Sequence, residues 1–224
     1  MAALLLLSGI CAALDWFAVG AGKRRLELLT KPATLFLLLA WTLSAIPRPG
    51  GALGAWLVAG LAFSLLGDVF LLVPERHFVH GLGAFLLAQV AYTIALNAQG
   101  LFLDGRSGAA AIAVGLLAIG LHARLRKGLA ERGDQRMLAP VTVYLAAVSA
   151  MLWSAACATF RLEWPALAGG LVAAGGGLFF ASDAILAWNR FIQPFEGGRL
   201  LTRITYHLGQ FGLAVGVVLV LLVR

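Results

Sequence analysis

Eight long apolar stretches constrain the fold of this chain more than any other feature. They cover residues 2–21, 29–46, 52–73, 78–98, 108–123, 138–159, 166–188 and 201–223. A membrane-spanning helix needs about 20 apolar residues, and most of these stretches reach that length. Only 12% of the residues are charged, against about 25% in soluble domains. We therefore predict an all-α integral membrane protein in which residues 1–224 form a single transmembrane domain, an eight-transmembrane-helix bundle.

The basic residues are divided unequally between the two sides of this predicted bundle. Of the 17 Lys and Arg, four fall on one side, namely Arg48, Arg106, Arg161 and Arg224. The other 13 fall in or beside the loops that join odd spans to even spans: Lys23, Arg24, Arg25, Lys31, Arg76, Arg124, Arg126, Lys127, Arg132, Arg136, Arg190, Arg199 and Arg203. The positive-inside rule then predicts a bacterial inner (plasma) membrane protein with both termini outside. The net charge of +7 is explained by this topology and by the attraction of basic side chains to anionic lipid. No nucleic-acid partner is therefore expected.

Two aspartates, Asp68 and Asp183, lie in matching apolar contexts near the predicted cytoplasmic ends of spans 3 and 7. Each comes about five residues before its apolar run ends, which is about 7–8 Å at 1.5 Å per residue. A carboxylate at the centre of a membrane helix costs about 2.5–3.5 kcal/mol, so such residues usually mark a functional site. We predict one site that holds both. The structural alternative is that each is paired with Lys31 or an arginine.

Further polar residues are predicted at the same depth, which indicates a cavity between helices that opens toward the cytoplasm. The predicted substrate-binding residues are Lys31, Tyr144, Asn189, Tyr206, His207 and Gln210, and Asp15, His77 and His80 lie at a similar level. Alternatively, Lys31 does not belong to the site and extends to the lipid headgroups. Alternatively, His77 and His80 are ordinary residues of the membrane interface, and His207 is an ordinary core residue. Alternatively, Gln89 and Gln210 only form hydrogen bonds that join neighbouring helices.

Two carboxyl groups in a medium of low dielectric constant do not both ionise easily, which favours one protonated acid and one carboxylate base. No metal or other cofactor is expected, because the chain lacks an H-E-x-x-H motif and a cysteine cluster. Cys11 and Cys157 fall within apolar spans, as small buried hydrophobic residues do. Intramembrane aspartyl proteases also use two membrane aspartates, one of them in a Gly-x-Gly-Asp signature. The first glycine of this signature is missing from Leu65-Leu66-Gly67-Asp68, so the sequence does not favour this class of enzyme.

The two halves of the chain are weakly alike, which suggests a possible parallel 4+4 repeat. The matching positions are Pro32 and Pro140, Asp68 and Asp183, and Gln89 and Gln210. The alternative is that apolar helices of low complexity resemble one another without duplication.

Several short segments together resemble the YhhN/TMEM86 family of lysoplasmalogenases. They are Lys31-Pro32, Leu66-Gly67-Asp68, Phe85…Tyr92, Ser182-Asp183-Ala184 and Thr205-Tyr206…Gln210. The resemblance implies an eight-span enzyme that hydrolyses the vinyl ether bond of lysoplasmalogens. The products would be a fatty aldehyde and glycerophosphoethanolamine or glycerophosphocholine. It also implies catalytic roles for Asp68 and Asp183 and a role for Lys31. Some members of the family have histidine where this chain has Gln89 and Gln210, so the roles of these two stay open.

The expected partners are thus a lysophospholipid substrate and the lipid bilayer. Two other classes of function are compatible with intramembrane carboxylates: a proton-coupled transporter, and a lipid-binding membrane protein in which the aspartates are structural. Aldehyde release from lysoplasmalogen without an ion gradient would separate an enzyme from both. Headgroup preference, chain-length preference, oligomeric state and the choice of acid and base stay open.

Overall fold

The computed structural model describes residues 2–47 and 50–223, apart from the side chains of residues 74 and 75. Its eight long helices are α1 (Ala2–Gly20), α2 (Arg24–Ala45), α3 (Gly51–Phe70), α4 (Pro74–Asn97), α5 (Gly105–Glu131), α6 (Leu138–Cys157), α7 (Ala166–Phe191) and α8 (Gly198–Leu222). Short 3₁₀ turns, Gln135–Met137 and Ala158–Phe160, flank α6. All eight helices are long and apolar enough to cross a membrane. The predicted eight-helix, multi-pass membrane fold is therefore confirmed.

Several helices extend further than the apolar stretches indicated. Helix α2 begins at Arg24 instead of residue 29, and α5 continues to Glu131 instead of ending at residue 123. Most of the basic residues assigned to loops are consequently in the end turns of helices. In lipid the helical backbone satisfies its own hydrogen bonds, while long basic side chains reach toward the interface, so a charged turn need not end a span. Arg48 and Arg224 lie outside the described residues.

The two aspartates differ in their distance from the ends of their helices. Asp68 comes two residues before the end of α3, whereas Asp183 comes eight residues before the end of α7. At about 1.5 Å per residue these distances are about 3 Å and 12 Å. The prediction of equal distances is wrong, because α3 ends three residues before its apolar run does, whereas α7 continues three residues beyond its own.

Helix α8 lies at the centre of the bundle and packs most closely against α7. A side chain added at Gly175 of α7 would place its Cβ only 2.6 Å from the backbone nitrogen of Leu213 in α8. A Cβ at Gly212 would lie 2.8 Å from the carbonyl oxygen of Leu171. Glycine thus allows the two backbones to touch, as small residues do between membrane helices. In the Gly175–Gly177 run, Gly175 makes this close approach possible, whereas a Cβ at Gly177 would meet open space.

The helices meet at an end that we call the basic end, where α1, α3, α5 and α7 finish and α2, α4, α6 and α8 begin. Arg24 at the start of α2 donates a hydrogen bond to the carbonyl oxygen of Leu72, just after α3. Arg132, after α5, donates to the carbonyl oxygen of Ile192, just after α7, at 2.8 Å. These contacts tie the helix ends together around a polar interior.

Candidate functional site

A cavity of about 680 Å³ lies at the basic end, bounded by α2, α3, α4, α7 and α8. Its described lining residues are Arg24, Glu27, Lys31, Asp68, Leu71, Phe78, Phe85, Ser182, Asp183, Leu186, Asn189, Arg190, Arg199, Thr202, Arg203 and Tyr206. The cavity therefore brings together both aspartates and three of the predicted substrate-binding residues, Lys31, Asn189 and Tyr206. It has the size of a small-molecule site, for which about 300–1,000 Å³ is usual.

Asp68 is a buried carboxylate with a cationic partner. Its Oδ1 lies 3.1 Å from Nζ of Lys31, and the two side chains are only 1% and 4% exposed. The hydroxyl of Tyr206 donates to Oδ2 at 2.9 Å. Because α2 begins at Arg24, Lys31 lies about two turns inside the helix and contacts Asp68 instead of extending to the surface. The pairing that sequence reasoning held as an alternative is the one the structure contains.

Asp183 has neutral partners instead. Tyr144 of α6 donates to its Oδ2 at 2.7 Å, and Nε2 of Gln89 in α4 donates to the same oxygen at 3.3 Å. No ion pair joins Asp183 to a lysine, arginine or histidine within the described residues. Both hydrogen bonds converge on Oδ2, which leaves Oδ1 as the oxygen without a protein donor in the same part of the chain. The two aspartates thus line one cavity but differ in their electrostatic surroundings.

His207 and Gln210 lie behind the cavity wall, and neither is among its lining residues. Nδ1 of the fully buried His207 accepts a hydrogen bond from Nε1 of Trp16 at 3.1 Å. Oε1 of Gln210, also fully buried, accepts from the hydroxyl of Tyr92 at 2.6 Å. Both side chains therefore pack in the buried interior behind Tyr206 instead of facing the cavity. Tyr144 adjoins the site through Asp183.

The remaining polar residues of the predicted cluster lie outside the cavity lining. His77 and His80 are exposed, and their rings contact each other and Phe70. Asp15 is fully buried and accepts a hydrogen bond from Thr30 at 3.0 Å. Its charged neighbour is Nε of Arg203, which lies 3.8 Å from Oδ2 of Asp15.

Sequence reasoning missed an ionic cluster centred on Glu27. Glu27 is 2% exposed and lies 3.0 Å from Nη1 of Arg24, 3.0 Å from Nη2 of Arg199 and 2.7 Å from Nη2 of Arg203. One signal was present: Glu27 comes four residues before Lys31, which places both on one face once the turn is helical. The apolar stretch began only at residue 29, so this turn was assigned to a loop.

The sequence model of the YhhN family matches residues 26–217. This chain belongs to the YhhN family. The matched segment contains every described cavity residue except Arg24. The resemblance drawn from the short segments is therefore confirmed over most of the chain.

Named relatives of this YhhN chain come from bacteria and mammals. It is 35% identical over 169 residues to a lysoplasmalogenase of Mycobacterium bovis, an alignment that covers 73% of this chain and 60% of the relative. It is 31% identical over 183 residues to lysoplasmalogenase TMEM86B of Mus musculus, covering 80% and 69% of the two chains. The chain thus spans about 60% of the length of the mycobacterial relative. No solved structure matches.

The YhhN cavity carries an excess of positive charge. Its described lining contains five cationic side chains (Arg24, Lys31, Arg190, Arg199 and Arg203) and three acidic ones (Glu27, Asp68 and Asp183). Such a lining attracts an anionic group, and arginine suits phosphate because its planar donors match the oxygen geometry. Among the side chains of residues 2–47, 50–73 and 76–223, no three of His, Cys, Asp or Glu are grouped as metal ligands would be.

Proposed function

We propose that this YhhN protein hydrolyses the vinyl ether bond of lysoplasmalogens to a fatty aldehyde and glycerophosphoethanolamine or glycerophosphocholine. The relatives named as lysoplasmalogenases support this substrate class. The observation that carries the proposal is the pair of carboxyl groups in one cavity, one held by a lysine and the other by neutral donors. Groups whose surroundings differ in this way are suited to opposite roles in acid–base catalysis.

Asp183 is the proposed general acid. It has no cationic partner among the described residues, so a proton on its carboxyl group is not opposed by a neighbouring positive charge. The unengaged Oδ1 delivers this proton to the β-carbon of the vinyl ether. The carbon–carbon double bond supplies the electron pair for the new C–H bond, and the adjacent carbon and ether oxygen become an oxocarbenium ion.

Asp68 is the proposed base. Lys31 and Tyr206 keep it as a carboxylate, and a fixed negative charge stabilises the oxocarbenium ion that forms nearby. Water adds to the cationic carbon and gives a proton to Asp68, which yields a hemiacetal. The hemiacetal hydroxyl then loses its proton, the bond to the glycerol oxygen breaks, and that oxygen is protonated. The net reaction consumes one water. Asp68 releases the proton it accepted to solvent, and solvent returns a proton to Asp183.

The arginines beside Glu27 are the proposed phosphate ligands. Lys31 was predicted to bind substrate, but its ammonium group is engaged with Asp68. The side chains of Arg24 and Arg199 are 47% and 69% exposed, so both can reach a headgroup that enters from the basic end. Glu27 holds them together by charge-assisted contacts. We assign the basic end to the cytoplasm of a bacterial inner membrane, with both termini outside, because of the 13-to-4 division of Lys and Arg.

The test is aldehyde release from purified protein in detergent, supplied with lysoplasmalogen and no ion gradient. The parent protein is expected to release aldehyde, and Asp183→Asn is expected to lower kcat/KM at least about 100-fold, the low end for loss of general acid catalysis. Asp134→Asn is the matched control, because Asp134 lies in the α5–α6 connection away from the cavity lining. Intact substrate with the parent protein, or normal turnover with Asp183→Asn, would refute the proposal.

A further inference from the structure

We infer that the alkenyl chain of the substrate is held in an apolar slot between α4, α6 and α7, which adjoins the main cavity at Asp183. The identity of this chain rests on the proposed function, but the slot itself is a feature of the fold. Its volume is about 50 Å³, and Leu82, Val141 and Ala187 line it together with Phe191. None of these four residues lines the main cavity.

The slot and the cavity meet at a small group of shared residues. The six described residues that line both spaces are Leu71, Phe78, Phe85, Asp183, Leu186 and Arg190. Tyr144, which lines only the slot, donates the hydrogen bond that fixes Oδ2 of Asp183. Asp183 therefore lies at the boundary between an ionic compartment and an apolar one.

This arrangement matches the chemical order of a lysoplasmalogen. The phosphate is at one end of the molecule, the hydrocarbon chain is at the other, and the vinyl ether joins the chain to the glycerol. With the phosphate at Arg24 and Arg199 and the chain in the slot, the vinyl ether falls at the boundary that Asp183 occupies. Burial of a hydrocarbon chain stabilises binding in proportion to the apolar surface removed from water, so the slot contributes to affinity as well as to orientation.

The slot must widen to accept a chain. A volume of about 50 Å³ is less than twice the roughly 30 Å³ that one water takes in the liquid. At this level α4 and α7 meet through side chains: the Arg190 guanidinium lies 3.7 Å from the ring centroid of Phe78, and the Phe78 and Phe191 rings are 5.8 Å apart, edge to face. Rotation of Phe78 and Leu82, both only partly buried, opens the space without separating the helix backbones.

Leu82 and Leu87 provide a matched pair of substitutions on α4. Leu82 lines the slot, whereas Leu87 is 49% exposed on the outer surface of the same helix. Leu82→Trp is expected to lower the ratio of kcat/KM for a hexadecenyl lysoplasmalogen over an octenyl one by at least about tenfold, the low end for mismatch in a hydrophobic pocket. Leu87→Trp adds the same bulk outside the slot and is expected to leave this ratio unchanged. An equal change of the ratio in both variants, or no change in Leu82→Trp, would overturn the inference.

A second measurement uses the unaltered protein and does not depend on turnover. A non-hydrolysable alkyl-ether lysophospholipid with a diazirine at the end of its chain is bound and photolysed, and the adducts are mapped by mass spectrometry. Adducts are expected at Leu82, Val141 and Ala187, and adducts confined to exposed residues such as Leu87 would contradict the slot. Slot adducts without any aldehyde release would overturn the proposed function but not the slot. Aldehyde release with adducts elsewhere would do the reverse.

Discussion

Replacing Lys31 by methionine is expected to destabilise the folded protein by about 3–5 kcal/mol, the usual cost of removing one partner from a buried ion pair. Nζ of Lys31 lies 3.1 Å from Oδ1 of Asp68, and neither side chain is more than 4% exposed. Methionine preserves the length of the side chain but leaves the carboxylate with one strong partner, the hydroxyl of Tyr206. Such a charge is costly because the carboxylate is only 1% exposed and has lost its cationic partner.

The double variant Lys31→Met/Asp68→Asn separates this effect from a simple loss of packing. With both charges removed, most of the lost stability is expected to return, because a neutral pair needs no compensation. The coupling free energy from the double-mutant cycle is therefore expected to exceed about 1 kcal/mol, within the range for residues in contact. Asp183→Asn is the comparison, since its partners Tyr144 and Gln89 are neutral and its removal leaves no cation unpaired.

The assay is thermal unfolding in a fixed detergent, followed by tryptophan fluorescence or circular dichroism. In a chain of this length 1 kcal/mol moves the Tm by roughly 2–4 °C, so Lys31→Met is expected to lower the Tm by about 6–20 °C. Asp183→Asn is expected to stay within about 2 °C of the parent protein. If Lys31→Met kept the parent Tm, or if the double variant were less stable than either single variant, the reasoning from the buried ion pair would be refuted.

Three further outcomes follow from the site. Arg199→Gln is expected to raise KM at least about 10-fold with little change in kcat, because a charge-assisted contact to phosphate is worth about 1.5–3 kcal/mol. Arg126→Gln, at an exposed arginine outside the cavity, is the control, and a fall in kcat alone would contradict the role of Arg199. Treatment with EDTA is expected to leave turnover unchanged. If activity were lost and then returned on addition of Zn²⁺ or Mg²⁺, the two-carboxylate mechanism would be wrong. A single cysteine in place of Arg136, with Cys11 and Cys157 replaced by alanine, is expected to resist a membrane-impermeant thiol reagent in intact cells, whereas labelling from outside would reverse the topology.

The number of helices and part of the cavity lining were predictable because both depend on one-dimensional patterns. Apolar length gives the spans, and position along a span gives depth, so Asp68, Asp183, Lys31 and Tyr206 were expected at one level and do line one cavity. The direction in which each side chain points around its helix axis was harder to predict. His207 follows Tyr206 directly, and a step of one residue turns the side chain by about 100° in an α-helix, which takes it from the cavity to Trp16.

Helix ends and ionic partners could not be predicted because they depend on charges that compensate one another in three dimensions. A hydropathy profile treats Arg24 and Glu27 as the end of an apolar run. In the folded chain Glu27 is neutralised by Arg24 and by Arg199 and Arg203 from α8, more than 170 residues away, and so the turn remains helical. The same reasoning explains why Lys31 is bound to Asp68 and not to a headgroup: its partner is supplied by another helix.

Hydrolysis in deuterium oxide tests the central claim most directly. Proton delivery from Asp183 to the β-carbon forms a new C–H bond whose hydrogen originates from solvent, so the released fatty aldehyde is expected to carry one deuterium at carbon 2. The same experiment with Asp183→Asn is expected to give at least about 100-fold less of this product. Mass spectrometry of the aldehyde, trapped as an oxime as soon as it forms, provides the readout. An aldehyde without deuterium at carbon 2, or equal amounts of labelled aldehyde from the parent protein and Asp183→Asn, would contradict acid catalysis by Asp183.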